Sequence, residues 1–226
     1  METPKDETEP FKGDRGWKVV RRLHDGTPIT IRPIMPEDRD ELRREFEHTS
    51  PQTRYLRFLG IVGELSDEML TYLCNVDQKN HIALVATITS PDLKSERGMG
   101  VARVIRLHGT HDVAEAAITV ADDMQRRGVG SLLAYEIGRA ARERGIRTIR
   151  ADVLEGNSAM RAILEGVGAR RVDKGDTLGT MSYDIEIPTE HTHLTSRLAD
   201  VLRGAATTMA ISLRKLALPE ERHHHD

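Results

Sequence analysis

Glu115 is the side chain whose type and setting best suit proton chemistry. It lies in Asp112-Val113-Ala114-Glu115-Ala116-Ala117-Ile118-Thr119-Val120, a β-branched stretch that reads as a strand. A polar turn follows, Ala121-Asp122-Asp123-Met124, and then Gln125-Arg126-Arg127-Gly128-Val129-Gly130-Ser131 at the head of an apolar-periodic helix. A loop at a helix N-terminus offers unpaired backbone N–H groups and the positive end of the helix dipole, so an anion such as phosphate is stabilised there. Gly128 and Gly130, lacking a Cβ, let the ligand come close to the backbone. The same glycines could make only a tight turn, and an acid on a strand can be a solvated carboxylate.

The elements that must position this stretch follow from pattern. Residues 1 to 16 are polar with almost no apolar side chains, which predicts a flexible tail, and residues 17 to 187 read as one domain. Trp17 to Leu23 and Ile29 to Ile34 predict a hairpin, with Asp25-Gly26 as a type I′ turn. Three short helices are predicted next: one from Pro36 to about Glu47, one from Ser50-Pro51 to Gly60, and one opened by Ser66-Asp67-Glu68. Ile82 to Ile88 and Gly100 to Ile105 read as strands that form an antiparallel meander with the strand of Glu115. Val129, Leu132, Leu133, Ile137, Ala140 and Ala141 have helical spacing up to Gly145, and Ile146 to Leu154 reads as the next strand. A β-α-β crossover of that length makes this strand parallel to that of Glu115. Asn157-Ser158 can cap a helix to Gly168, and Ala169 to Val172 and Thr180 to Ile187 supply two further strands. The class is α+β or α/β, a mixed and mostly antiparallel sheet flanked by helices. Residues 188 to 226 predict a C-terminal helical extension, with Leu194, Leu198, Val201, Leu202, Ala205, Met209 and Leu213 near one face and a polar tail through His223 to His225. That face would cover the sheet, close a homodimer or lie on a partner.

Composition narrows the function classes. The chain has 226 residues, with Lys+Arg 33 against Asp+Glu 36 and a formal net charge of −3, so there is no global attraction for nucleic acid. No run of about 18 apolar residues occurs that could span a membrane. The single cysteine, Cys74, cannot form an internal disulfide, and the N-terminus lacks the apolar core of a signal peptide, which together predict a cytoplasmic protein. Nothing near Cys74 suggests a Cys-His pair, and it reads as a core thiol. The pairs His108 with His111 and His191 with His193 lack a third ligand at suitable spacing, so no metal site is expected.

Two familiar phosphate loops do not fit. A P-loop needs lysine and a hydroxyl residue after its last glycine, and here Ser131-Leu132 follows. A dinucleotide fingerprint needs glycine or alanine where Leu133 stands, and the preceding meander is not built of β-α-β units, although Asp152 lies at a distance suited to a ribose contact. Gln125-Arg126-Arg127-Gly128-Val129-Gly130 instead matches Q/R-x-x-G-x-G/A. In that phrase, with a strand before it and an amphipathic helix after, the chain resembles the GNAT superfamily of acyl-CoA-dependent N-acyltransferases from about residue 26 to 187.

The resemblance narrows further. Asp112 to Asp123, Ser50-Pro51-Gln52-Thr53-Arg54-Tyr55-Leu56-Arg57-Phe58 and His81-Ile82-Ala83-Leu84-Val85 are similar to the catalytic domain of bacterial Pat-type protein lysine acetyltransferases. That implies a GNAT fold, acetyl-CoA as donor, and as partner a protein bearing the acceptor lysine, such as an acyl-CoA synthetase. It also implies roles. Glu115 would be the general base, and the backbone N–H of Val120 would hold the oxyanion. Ile118, Thr119 and Val120 would line the pantetheine arm. The N–H groups of Gln125, Arg126, Arg127, Gly128, Val129, Gly130 and Ser131 would hold the pyrophosphate, with charge from Arg126 or Arg127, and Asn157 and Met160 would add cofactor contacts. Many family members carry a tyrosine seven residues after that asparagine as general acid, and here the position is Leu164. Pat-type enzymes often carry a fused regulatory domain, for which 226 residues leave no room. The other functions in play are acetylation of a small amine and a non-catalytic acyl-CoA-binding sensor module.

Overall fold

A computed structural model describes residues 9–47, 65–89, 96–156, 158–166, 168–172 and 180–187. In chain order the elements are β1 (Val19–Arg22), β2 (Pro28–Pro33), a 3-10 turn (Pro36–Asp38), α1 (Arg39–Glu47), α2 (Asp67–Cys74), β3 (His81–Thr89) and β4 (Glu96–Arg106). They continue as β5 (Val113–Val120), a second 3-10 turn (Asp122–Met124), α3 (Val129–Glu143), β6 (Thr148–Leu154), α4 (Ser158–Gly166), β7 (Arg170–Val172) and β8 (Thr180–Glu186). The strands form one sheet in the order β1-β2-β3-β4-β5-β6-β8-β7, with only β5 and β6 parallel among neighbours. This is the mixed, mostly antiparallel sheet expected from the pattern. The predicted helix at Ser50-Pro51 and the C-terminal extension lie outside the described residues.

The core forms where two periodicities meet. Even-numbered residues of β5, Ala114, Ala116, Ile118 and Val120, are buried together with Leu133, Ile137, Ala140 and Ala141 of α3. Helix α3 ends in a left-handed Gly145, φ 78°. The Ile146 and Gly145 N–H groups donate back to the carbonyls of Ala141 and Arg142, so the last turn is closed by a Schellman motif. Glu136, wholly buried on α3, accepts from Arg21 at 2.6 Å and from Arg139 at 3.2 Å. A carboxylate held between two guanidiniums locks β1 onto α3.

Two expectations need correction. The first hairpin does not turn through type I′. Gly26 has φ 84°, but Asp25 does not take positive φ, and the Gly26 N–H donates to the Leu23 carbonyl at 3.0 Å. The loop is a three-residue turn ending in a left-handed glycine, a geometry stabilised because Asp25 Oδ1 accepts from the Thr27 N–H at 2.9 Å. The predicted flexible tail is also tied down where it is described. Phe11 is 2% exposed, packs edge to face on Trp17 at 4.8 Å and lies under Arg144, so one aromatic anchors an otherwise polar run.

Candidate active site

The site is built where β5 and β6 part company. Their parallel pairing covers Val113↔Thr148, Ala114↔Ile149 and Glu115↔Arg150 and then stops, although β5 runs on to Val120 and β6 to Leu154. The Ala121 N–H donates to Met99 of β4 at 2.9 Å, and the Val113 carbonyl accepts from Leu107. Odd-numbered residues of this stretch thus turn their backbone toward β4. Alternation sends the backbone groups of Ile118 and Val120 the other way, into the gap that β6 has left. Polar backbone groups aimed into such a gap need partners, and an amide-bearing ligand arm can supply them.

Gly100 explains how β4 accommodates this. A Cβ there would lie 2.5 Å from the Thr119 carbonyl oxygen and 3.1 Å from Leu133, so only glycine lets β4 and β5 approach at this point. The Thr119 carbonyl is therefore engaged with β4, while Thr119 itself lines a cavity on the sheet face covered by α1 and α2. That cavity has a volume of about 280 Å³ and also meets Ile118, Ala121 and Arg103. Glu115 is half-buried, two strand positions before Ala117, the register partner of Arg103, and its own register neighbours are Ile105 and Arg150.

The glycine loop has the geometry of an anion cradle. Gly128 is the N-cap of α3 with φ 100° and no side-chain cap. None of the backbone N–H groups from Arg126 to Ser131 donates to an acceptor among the described residues. Arg126 takes φ 61°, turning the chain so that successive N–H groups converge. The dipole of α3, fifteen residues long, points its positive end at them. Gln125 donates to Asp122 at 2.9 Å and so braces the loop. These features fit the pyrophosphate of an acyl-CoA.

The two arginines differ. Arg126 is exposed and makes no ion pair among the described residues, whereas Arg127 is bound to Asp25 at 2.6 Å. His24, also on the first hairpin, stands over the loop: a Cβ at Gly128 would meet its Nε2 at 3.2 Å. His24, Asp25, Gly100 and Arg103 were not singled out by sequence reasoning, since each reads as an ordinary turn or strand residue until the sheet brings it to the site. Asn157 lies outside the described residues, and Met160 is placed only as a backbone position in the first turn of α4. Leu164 is fully buried in the main core, so the position expected to hold a tyrosine in many family members is here a packing residue. Cys74 is 1% exposed, and burial pushes its thiol up to about 11, far from nucleophile chemistry.

Comparison with known proteins agrees with this geometry. Residues 29–170 match the family described as Acetyltransferase (GNAT) domain. The chain is 32% identical over 158 residues to Acetyltransferase PA5475 of Pseudomonas aeruginosa, covering 70% of this chain and 83% of that protein. It is 32% identical over 171 residues to Acetyltransferase Pat of Mycolicibacterium smegmatis, covering 74% of this chain but 48% of that protein, about half its length. Among solved structures, the GNAT domain of S. lividans PAT superposes with a TM-score of 0.64 at 27% identity, covering 76% of this chain and 98% of that one. With the family matched over residues 29–170, the chain belongs to the GNAT acetyltransferase family, whose acyl donor is acetyl-CoA.

Proposed function

We propose that this acetyltransferase transfers its acetyl group to the ε-amine of a lysine in a protein, an acyl-CoA synthetase being the expected kind of acceptor, by direct attack in a ternary complex in the cytoplasm. The resemblance of residues 50–58, 81–85 and 112–123 to Pat-type protein lysine acetyltransferases supports the acceptor class, and the chain is 32% identical to Acetyltransferase Pat. The parting of β5 and β6 after Glu115 supports the mechanism, because a carboxylate and backbone N–H groups that face the gap lie along one strand.

Acetyl-CoA supplies an acyl carbon already activated as a thioester. A free lysine, with pKa about 10.4, arrives protonated, so a base must take its proton before the nitrogen can attack. Glu115 accepts that proton, directly or through water. As the nitrogen–carbon bond forms, charge builds on the carbonyl oxygen and backbone N–H groups of β5 donate to it; when the carbonyl re-forms, the carbon–sulfur bond breaks and CoA leaves as its thiolate. Two such groups face the gap. At about 3.3 Å per residue, Ile118 lies roughly 10 Å and Val120 roughly 16 Å along the strand from Glu115. Strand rise therefore favours Ile118 for the oxyanion beside a base at Glu115, with Val120 serving the pantetheine arm. A thiol with pKa near 8.5 leaves without a dedicated acid, which fits a buried Leu164 in place of tyrosine.

The acceptor class is tested by incubating the purified chain and labelled acetyl-CoA with a cell lysate beside a panel of small amines, and reading the products by mass spectrometry. Label on lysines of one or a few proteins is the expected result. Label confined to small amines would overturn the protein-lysine reading.

A further inference from the structure

The cavity beside β5 is lined by one charged side chain that makes no salt bridge among the described residues. Along its wall the other charged side chains are paired: Asp38 and Glu96 with Arg32, Glu41 with Arg44, Glu45 with Arg97, and Glu37 with Arg15. Arg103 is the exception. It is 6% exposed, lies across from Ala117 in the β4–β5 register, and makes one hydrogen bond among the described residues, from Nη1 to His81 Nε2 at 3.2 Å. His81 must be neutral to accept that bond. Burial, with the positive charge of Arg103 beside it, pushes the imidazole down to about 4, so it is neutral near pH 7.

The other ionisable groups that face Arg103 are neutral too. Burial raises the Tyr72 phenol and pushes the Cys74 thiol up to about 11. A buried guanidinium with no carboxylate partner among the described residues is costly, and its own pKa is drawn down to about 10 by burial. Arg103 also lines the cavity, and its Nε and Nη2 make no hydrogen bond among the described residues. A cation held this way, beside the strand that carries Glu115, is built to receive an anion from the acceptor's side.

We propose that Arg103 anchors a carboxylate carried by the acceptor, so that the enzyme selects amines whose own molecule presents an acidic group near the reacting nitrogen. A singly charged carboxylate suits the cavity better than a phosphate dianion, because Glu41 and Glu45 share its wall. The carboxylate can come from an acidic side chain beside the acceptor lysine in a peptide, or from the α-carboxylate of a free amino acid. The proposal rests on the cavity being the acceptor's entrance.

The test uses matched acceptors: a lysine peptide with glutamate next to the lysine against its glutamine twin, and free lysine against lysinamide. The wild type is expected to favour the acidic member of at least one pair by about tenfold or more in kcat/KM, and which pair responds names the source of the carboxylate. Arg103→Gln should lower the acidic member by about thirtyfold, as for loss of one partner of a buried charge pair, while the neutral member and the KM for acetyl-CoA change little. Equal use of both members of both pairs by the wild type, or an equal loss on both in the variant, overturns the proposal. A measurement without any variant guards against misfolding: propionate should inhibit the wild type competitively against the acceptor and not against acetyl-CoA, and any other pattern overturns the proposal. If only free lysine is acetylated, the protein-lysine reading fails while a preference for lysine over lysinamide still upholds the role of Arg103.

Discussion

Asp25, at the tip of the first hairpin, accepts a hydrogen bond from Arg127 at 2.6 Å across 102 residues of sequence, so the hairpin is fastened to the glycine loop at the head of α3. Hydrogen bonds from Thr27 and Arg127 hold the Asp25 carboxyl well below the usual carboxylate range. The pair is exposed on both sides and contributes little to stability, but Asp25 takes up charge that Arg127 would otherwise direct at the cofactor. Asp25→Asn should therefore lower the KM for acetyl-CoA about two- to threefold at low ionic strength, with the gain shrinking as salt rises. A higher KM would mean that Asp25 chiefly orients the loop.

Glu115→Gln keeps the shape of the side chain and removes its ability to take a proton. Turnover should fall by about 100-fold or more while acetyl-CoA still binds, as measured by steady-state kinetics beside calorimetric titration. Unchanged turnover would remove Glu115 from the mechanism and leave the base unassigned.

Gly128→Ala places a Cβ where φ is 100° and where His24 Nε2 already lies 3.2 Å away. Left-handed backbone costs an L-residue about 1–2 kcal/mol, and the cradle must relax to escape it. Acetyl-CoA affinity should drop about tenfold with kcat less affected. His24→Ala in the same background should restore only the part owed to the contact, because the strain in φ remains.

His81 gives stability a defined dependence on pH. Its ordinary pKa of 6.5 applies in the unfolded chain, and the folded value is pushed down to about 4 by burial and by Arg103. Between those values the unfolded state binds the extra proton, so stability is lost as pH falls from about 6.5 toward about 4. A tenfold change in proton affinity is worth about 1.4 kcal/mol, which sets the loss at a few kcal/mol in order of magnitude. Chemical denaturation across that range should show the slope in the wild type and a shallower one in His81→Gln; identical slopes would mean that the imidazole titrates freely in the fold.

The sequence revealed the site in proportion to how local each feature is. The glycine loop, the amphipathic α3 and the capping Ser66, whose Oγ accepts from Met69, are written in neighbouring residues and could be read directly. The hairpin turn departs from expectation because Asp-Gly satisfies two turn chemistries, and the Thr27 N–H bonded to Asp25 decides between them. Phe11 gives no warning, since a lone aromatic in a polar run has no periodicity to betray a buried role. The parting of β5 from β6, the glycine demanded at position 100, and the lack of a carboxylate partner for Arg103 among the described residues are properties of register and packing. They exist only once strands distant in sequence lie side by side.

The strand order has a consequence for how the chain is made. β8 sits between β6 and β7, so a nascent chain that has not yet reached Thr180 leaves β7 without a neighbour and the outer edge of β6 open. Such an edge is a template for unwanted pairing. The half that holds the phosphate loop is complete in sequence by Glu143, while the half beyond β6 must wait for the last strand to slide into place. Synthesis thus completes the glycine loop before β8 can close the sheet between β6 and β7.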